Sequence, residues 1–384
     1  MRKINFVFLA LITFFLFNSC EKNSSKKPEF NRVVVLYMAA NNNLSSFAEH
    51  NFDALKEGFV PVEKSKDILI VYKHFKDENP KLVRLFKNSA GDIIEDIVAT
   101  YEDQNSANGD VLKAVLNKIN KIFPSKEHGL ILWSHATGWL PQGYYNSTYN
   151  QTFFEDPYKD LVKSFGEDRG VEMELKELKA AIPFKLSFII FDCCLMGGIE
   201  TIYELKDITD YIIASPTEIL AYGFPYDNIM NPLFKSKANL EEACKIFYDY
   251  YNNEEGIYRS ATIALYKTEE LPELARISKV IFNNHRDTIQ LLDMSKIQRY
   301  FRMNKRWYWD LDNFISEIAT PKEHAQFNLV LSKVVKAKWS TPSFLDIEIN
   351  NFCGISTYIQ NPGNDFLDAF YENLDWDIDS KMIK

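Results

Sequence analysis

The sequence predicts an α/β protein built on a mainly parallel sheet with helices on both faces. Short continuous apolar runs recur at 33–38 (VVVLYM), 68–72 (ILIVY), 129–133 (GLILW), 186–191 (LSFIIF) and 211–215 (YIIAS). Runs of this length without polar alternation read as strands buried on both sides. Amphipathic helical stretches separate them, so strand and helix alternate from residue 33 to about 235, the pattern of a crossover-connected sheet. The 384 residues are 46% hydrophobic and 25% charged, enough to close one large core or two ordinary ones.

Taken in order, Met1-Arg2-Lys3 is a short basic start. Ile4 to Phe17 is apolar, and Leu16-Phe17-Asn18-Ser19-Cys20 closes the segment. This is the layout of an export signal, too short for a comfortable membrane span. Residues 1–19 are assigned to the signal and 20–30, with Lys26-Lys27-Pro28, to a flexible tether. Asn41-Asn42-Asn43 forms a polar turn after the first strand and is expected to cap a helix beginning near Leu44. Leu82 to Phe86 and Ile93 to Ile97 flank Asn88-Ser89-Ala90-Gly91 and read as a hairpin or edge strands. Asp110 to Ile122 places Leu112, Val115, Leu116, Ile119 and Ile122 on one helical face. From Trp139 to Asp168 no periodicity survives, which predicts a functional or mobile loop. A helix follows over Glu172 to Ile182. Beyond residue 235 the pattern changes. Asn239–Tyr251, Leu271–Ile289 and Asp310–Lys338 are mostly helical, with strands expected at Ser260–Tyr266 and within Asp346–Tyr358. The expected division is a catalytic domain over 31–235 and a mostly helical C-terminal subdomain over 236–384.

The formal charge of −9 argues against non-specific nucleic-acid binding. Five cysteines, two of them adjacent, do not make a disulfide scaffold, and no C-x-x-C spacing suggests a metal or a redox pair.

The chemistry gathers at two strand ends. Leu132-Trp133-Ser134-His135 closes one strand, and Asp192-Cys193-Cys194-Leu195-Met196 closes another before Gly197-Gly198 and a helix with Glu200. Open α/β sheets place ligands at the carboxyl ends of their strands. A thiol before a helix start is expected to have a lowered pKa, and neighbouring strands can bring an imidazole to it across 59 residues.

Together these blocks resemble the clostripain-like cysteine peptidases, relatives of the caspases and gingipains. The resemblance continues through Glu200, Tyr211–Glu218 and Gly223–Tyr226, and spans most of 31–375. It implies a caspase-like α/β/α sandwich. It makes Cys194 the nucleophile and His135 the general acid/base. The backbone N–H groups of Cys194 and of Ala136, just after His135, would form the oxyanion hole. Asp192, two residues before the nucleophile, would lie at the base of a pocket selecting Arg or Lys at the cleaved bond, and Glu218 would line the same cleft. The implied partners are peptide or protein substrates with basic residues; the protein is expected to be a monomer that needs no cofactor. Cys193 stands where the family has a small Ala and is expected to point away from the chemistry. Ala136 replaces a Gly. Asn41 stands where relatives carry Asp in a D-N-N-L turn, which removes a carboxylate from any calcium role. The Ser19-Cys20 junction resembles a lipobox of the Bacteroidetes type, so Cys20 would be lipidated and the exported protein anchored to a bacterial membrane. Some relatives mature by cleavage after a basic residue, for which Lys159, Lys163 and Arg169 are available.

Two other readings differ in class: a peptide-binding surface lipoprotein that no longer cleaves, favoured by Ala136, and a thiol oxidoreductase using Cys193 and Cys194. Cys244 and Cys353 are expected in the core, and His50, His74, His128, His285 and His324 as surface or structural residues.

Overall fold

The computed structural model describes residues 29–145, 157–158, 172–303 and 305–383. The export segment with Cys20 and the basic residues Lys159, Lys163 and Arg169 lie outside the described residues.

Ten strands matter for the site: β1 (Phe30–Ala40), β2 (Asp67–Phe75), β3 (Lys81–Lys87), β4 (Ile93–Thr100), β5 (Ser125–Trp133), β6 (Phe188–Asp192), β7 (Tyr211–Ala214), β8 (Thr262–Lys267), the two-residue β9 (Trp309–Asp310) and β10 (Val335–Ser340). All but β9 form a nine-stranded sheet in the order β10-β8-β7-β6-β5-β1-β2-β3-β4. The five central strands β7, β6, β5, β1 and β2 run parallel, and both edges are antiparallel. The central strands are the apolar runs, and nine consecutive residues of β1, from Arg32 to Ala40, are buried. A strand covered on both faces leaves no position for a solvated side chain, apart from ends such as Arg32, whose guanidinium bonds Glu127 and the carbonyls of Leu233 and Lys235.

Helices Ser45–Glu57, Tyr226–Leu233 and Leu240–Asn252 pack together on one face; Gly109–Ile122, Leu175–Ala181, Ile199–Glu204, Leu271–Asn284, Pro321–Val334 and Asp375–Ser380 cover the other. The result is the α/β/α sandwich. The chain after residue 235 is mostly helical, and its strands β8 and β10 extend the same sheet. Residue 235 therefore lies within one continuous architecture, and the last helix, Asp375–Ser380, packs on Ile199–Glu204 directly behind the Cys194 turn.

Register sets what the strand ends present. Trp133 on β5 pairs with Asp192 on β6. Lower in the same pair, Gly129 faces Phe188; a Cβ there would lie 2.1 Å from the ring, so glycine is what lets the two strands hold this register.

Several local expectations are corrected. The helix read at Glu172–Ile182 begins at Leu175. Helix 321–334 gives way to β10, where lysines and half-buried residues sit on an edge strand. The described residues after Gly138, 139–145, form no helix or strand, as the lack of periodicity predicts, yet they are packed: Trp139, Leu140, Tyr144 and Tyr145 are buried, and Trp139 packs against Tyr358 and Tyr371.

Candidate active site

His135 and Cys194 each stand two residues beyond a paired position, Trp133 and Asp192, on adjacent parallel strands. Equal offset from one register pair brings both residues to the carboxyl edge of the sheet on neighbouring strands. Their loops also touch. Gly138 has φ +64°, and a Cβ on it would lie 2.7 Å from the Leu195 carbonyl oxygen. Leu195 itself has φ 63°, and its N–H donates to the Thr217 carbonyl at 2.9 Å. Such a conformation costs a branched side chain about 1–2 kcal/mol and is held by the surrounding packing.

The thiol of Cys194 is fixed by main chain. The Ile219 N–H donates to Sγ at 3.1 Å, and the thiol lies 3.6 Å from the Ile219 carbonyl. The amide contact favours the thiolate and the carbonyl contact the thiol, so together they hold the sulfur in place between an Ile219 donor and an Ile219 acceptor. The expectation that a helix N-terminus lowers the thiol pKa is corrected: the positive φ at Leu195 and the extended backbone at Gly198 delay the helix to Ile199, five residues on. A helix dipole acts mainly on its own first turn. The Cys193 thiol donates to the Leu132 carbonyl at 3.1 Å, and Cys193, expected to point away from the chemistry, lines a cavity that His135 and Met196 also border.

His135 is held by a side chain. Its Nε2 lies 2.8 Å from Asn43 Oδ1, in the turn that follows β1. Reading the three asparagines as a helix cap missed this. Asn42 Oδ1 accepts from the Leu44 N–H, helix 45–57 has no side-chain cap, and Asn43 is turned toward β5. Ala136 is not among the described non-glycine residues with positive φ, so its methyl group meets no backbone strain; the left-handed position falls at Gly138.

The two carboxylates differ. Asp192 is fully buried, and its Oδ2 accepts from the Tyr226 hydroxyl at 3.0 Å and the Phe224 N–H at 3.3 Å. Burial, then the charge of Asp192, pushes the Tyr226 hydroxyl far above its ordinary range. Glu218, expected to line an open cleft, is paired: Arg302 donates to it through Nε at 2.6 Å and Nη2 at 3.0 Å, with both side chains nearly buried. The Tyr145 hydroxyl donates to the same carboxylate at 3.3 Å. Arg302 is 84 residues away, and no sequence signal links it to Glu218.

His135 borders a cavity also lined by Ala136, Thr137, Gly138 and Glu172, while both side chains of the candidate pair are nearly buried. Cys194 is 0% and His135 4% exposed. Tyr145 and Tyr308 are buried beside the thiol; burial first, then neighbouring charges that include Glu218 and Cys194, raises both hydroxyls well above their usual values. The Tyr308 hydroxyl donates to the Thr137 carbonyl at 2.6 Å and ties the His loop to the C-terminal part of the chain. Behind the Cys194 turn, Glu200 is fully buried and accepts from the Tyr371 and Thr357 hydroxyls and the Tyr358 N–H. Burial raises its carboxyl to about 7. Among the described residues, no group of three or more His, Cys, Asp or Glu side chains is placed to hold a metal, and no helix is long and apolar enough to cross a membrane.

Comparison with known proteins agrees with this fold. Residues 36–374 match the clostripain family of peptidases (C11). An inactive zymogen C11 protease from Parabacteroides distasonis is 31% identical, with a TM-score of 0.79 over 92% of this chain and 99% of that one. A secreted C11 cysteine protease from Bacteroides thetaiotaomicron, solved with an irreversible peptide inhibitor, is 26% identical, with a TM-score of 0.78 over 91% and 98%. A Bacteroides fragilis cysteine protease is 29% identical over 56% of this chain and 96% of that one, with a TM-score of 0.53. No curated protein is significantly similar to the chain.

Proposed function

Since the chain belongs to the clostripain family of cysteine peptidases, we propose that it is an endopeptidase in which Cys194 attacks the peptide carbonyl and His135 shuttles the proton, cutting after Arg or Lys. The observation that carries this is the shared register of β5 and β6, which sets both residues two positions beyond one strand pair. The Ile219 main chain fixes Sγ at the strand end, which supports a positioned nucleophile. Attack makes a tetrahedral oxyanion, which the N–H groups of Cys194 and Ala136 would receive. His135 then protonates the leaving amine, and water hydrolyses the thioester.

Preference for a basic residue is supported by Asp192, which lies on the strand end that carries Cys194. Glu218 is already paired with Arg302 and would take a substrate cation only by exchanging that partner. The sequence motif at Cys20 supports export with a lipid anchor, and a fatty-acid label lost in Cys20→Ser would bear this out.

The test is hydrolysis of fluorogenic peptides with Arg, Lys, Ala, Asp or Leu before the reporter, beside Cys194→Ala. Cleavage confined to Arg or Lys and lost in Cys194→Ala is the expected result. Cleavage after other residues would discard the specificity assignment and keep the nucleophile. No cleavage of any peptide would favour a peptide-binding protein on a peptidase fold.

A further inference from the structure

We infer that Asn43 is the positioning residue for His135, so that the working unit is Cys194–His135–Asn43; this deepens the reading of Cys194 and His135 as the reactive pair and rests on it. The geometry is a 2.8 Å contact between His135 Nε2 and Asn43 Oδ1. An amide oxygen only accepts, so Nε2 carries the hydrogen. A neutral imidazole has one N–H, so the lone pair is on Nδ1, which would take the proton of the thiol from the next strand end. Proton transfer breaks S–H and forms Nδ1–H, and the sulfur lone pair forms the bond to the carbonyl carbon. The imidazolium then holds N–H bonds at both nitrogens. Its Nε2–H becomes a charge-assisted donor to Asn43, a stronger bond than the neutral ring makes. When the tetrahedral adduct collapses, the Nδ1 proton passes to the leaving amine nitrogen and the ring returns to its Nε2–H form. Asn43 touches no reacting atom. It fixes the tautomer, the ring plane and part of the charge.

The turn that carries Asn43 is built to stay in place relative to β5. The Ser134 hydroxyl donates to the Ala39 carbonyl at 2.9 Å, and the Asn42 side-chain amide reaches the same carbonyl at 3.4 Å. The residue before His135 and the residue before Asn43 thus share one acceptor at the end of β1. Asn42 Oδ1 takes the Leu44 N–H, and Leu44 is buried. Asn43 is itself exposed, so truncating it disturbs no packed core.

The experiment compares the full chain with Asn43→Ala and Asn43→Asp, reading kcat and KM on the best fluorogenic peptide, the thermal midpoint, and the rate of iodoacetamide alkylation at Cys194 by peptide mapping. For Asn43→Ala, a kcat about 10–100-fold lower is expected, the range for losing a hydrogen bond to a charged group. KM should stay within about threefold, the thermal midpoint should hold, and Cys194 alkylation should slow in step with kcat. Asn43→Asp, which keeps an acceptor oxygen, restores most of both rates. Unchanged kcat and alkylation in Asn43→Ala would overturn the assignment. So would equal losses in Ala and Asp accompanied by a fallen thermal midpoint. If the wild-type chain cleaves no peptide, the peptidase reading fails separately. The alkylation rates still decide the role of Asn43, equal rates in wild type and Asn43→Ala overturning it.

Discussion

The two strand ends that make the site are fixed in opposite ways. At the end of β5, His135 is held by the side chain of Asn43, supplied by the turn after β1, its neighbour on one side. At the end of β6, Cys194 is held by the main chain of Ile219, supplied by the turn after β7, its neighbour on the other side. A side-chain hold can be lost by one substitution. A main-chain hold depends on backbone path, so the identity of residue 219 matters only through packing. The histidine end is therefore open to tuning by sequence, while the nucleophile end is open to tuning only by moving backbone.

Three changes would break or sharpen that contrast. The largest acts beneath the nucleophile, through Glu200. Its carboxyl is raised from 4.5 to about 7 by burial, so the folded chain keeps a proton that the unfolded chain has lost. The stability this contributes is fully present below about pH 4.5 and is lost as pH rises through about 7, a swing of about 3 kcal/mol. Chemical denaturation at pH 5 and pH 8 should show that extra fall in wild type relative to Glu200→Gln; parallel behaviour of the two would refute it. Next comes Gly138→Ala, which adds a Cβ in a left-handed conformation against the Leu195 carbonyl. It should cost about 1–2 kcal/mol and lower kcat about tenfold by parting the two loops; a variant as stable and active as wild type would show that the loops need not touch. The smallest is Ile219→Val, expected to cost about 1 kcal/mol of packing while kcat stays within about twofold. A large kcat loss there would mean that the thiol is held by side-chain shape after all.

The parallel centre of the sheet was legible because strands buried on both faces read as unbroken apolar runs. β10 was not: VKAKWS alternates half-buried and exposed residues and follows helix 321–334 without a break, so it reads as more helix. His135 and Cys194 were legible as candidates because each follows the end of such a run. Asn43 left a trace, three asparagines after a strand, which capping explained too easily. Arg302, Tyr145 and Tyr308 left none, because their meeting around Glu218 and the thiol is made by folding distant segments together. Main-chain contacts such as the Ile219 amide have no residue signature at all.

One feature of the site bears on how it would respond to reagents. With the Cys194 side chain at 0% exposure, an electrophile reaches sulfur only while the packing around it is apart. Inactivation is then the product of an opening constant and an intrinsic rate, as in amide hydrogen exchange. Small and bulky warheads would be slowed by different factors, each sampling its own width of opening. The temperature dependence of labelling would carry the enthalpy of breathing, so a covalent probe of this thiol doubles as a gauge of its enclosure.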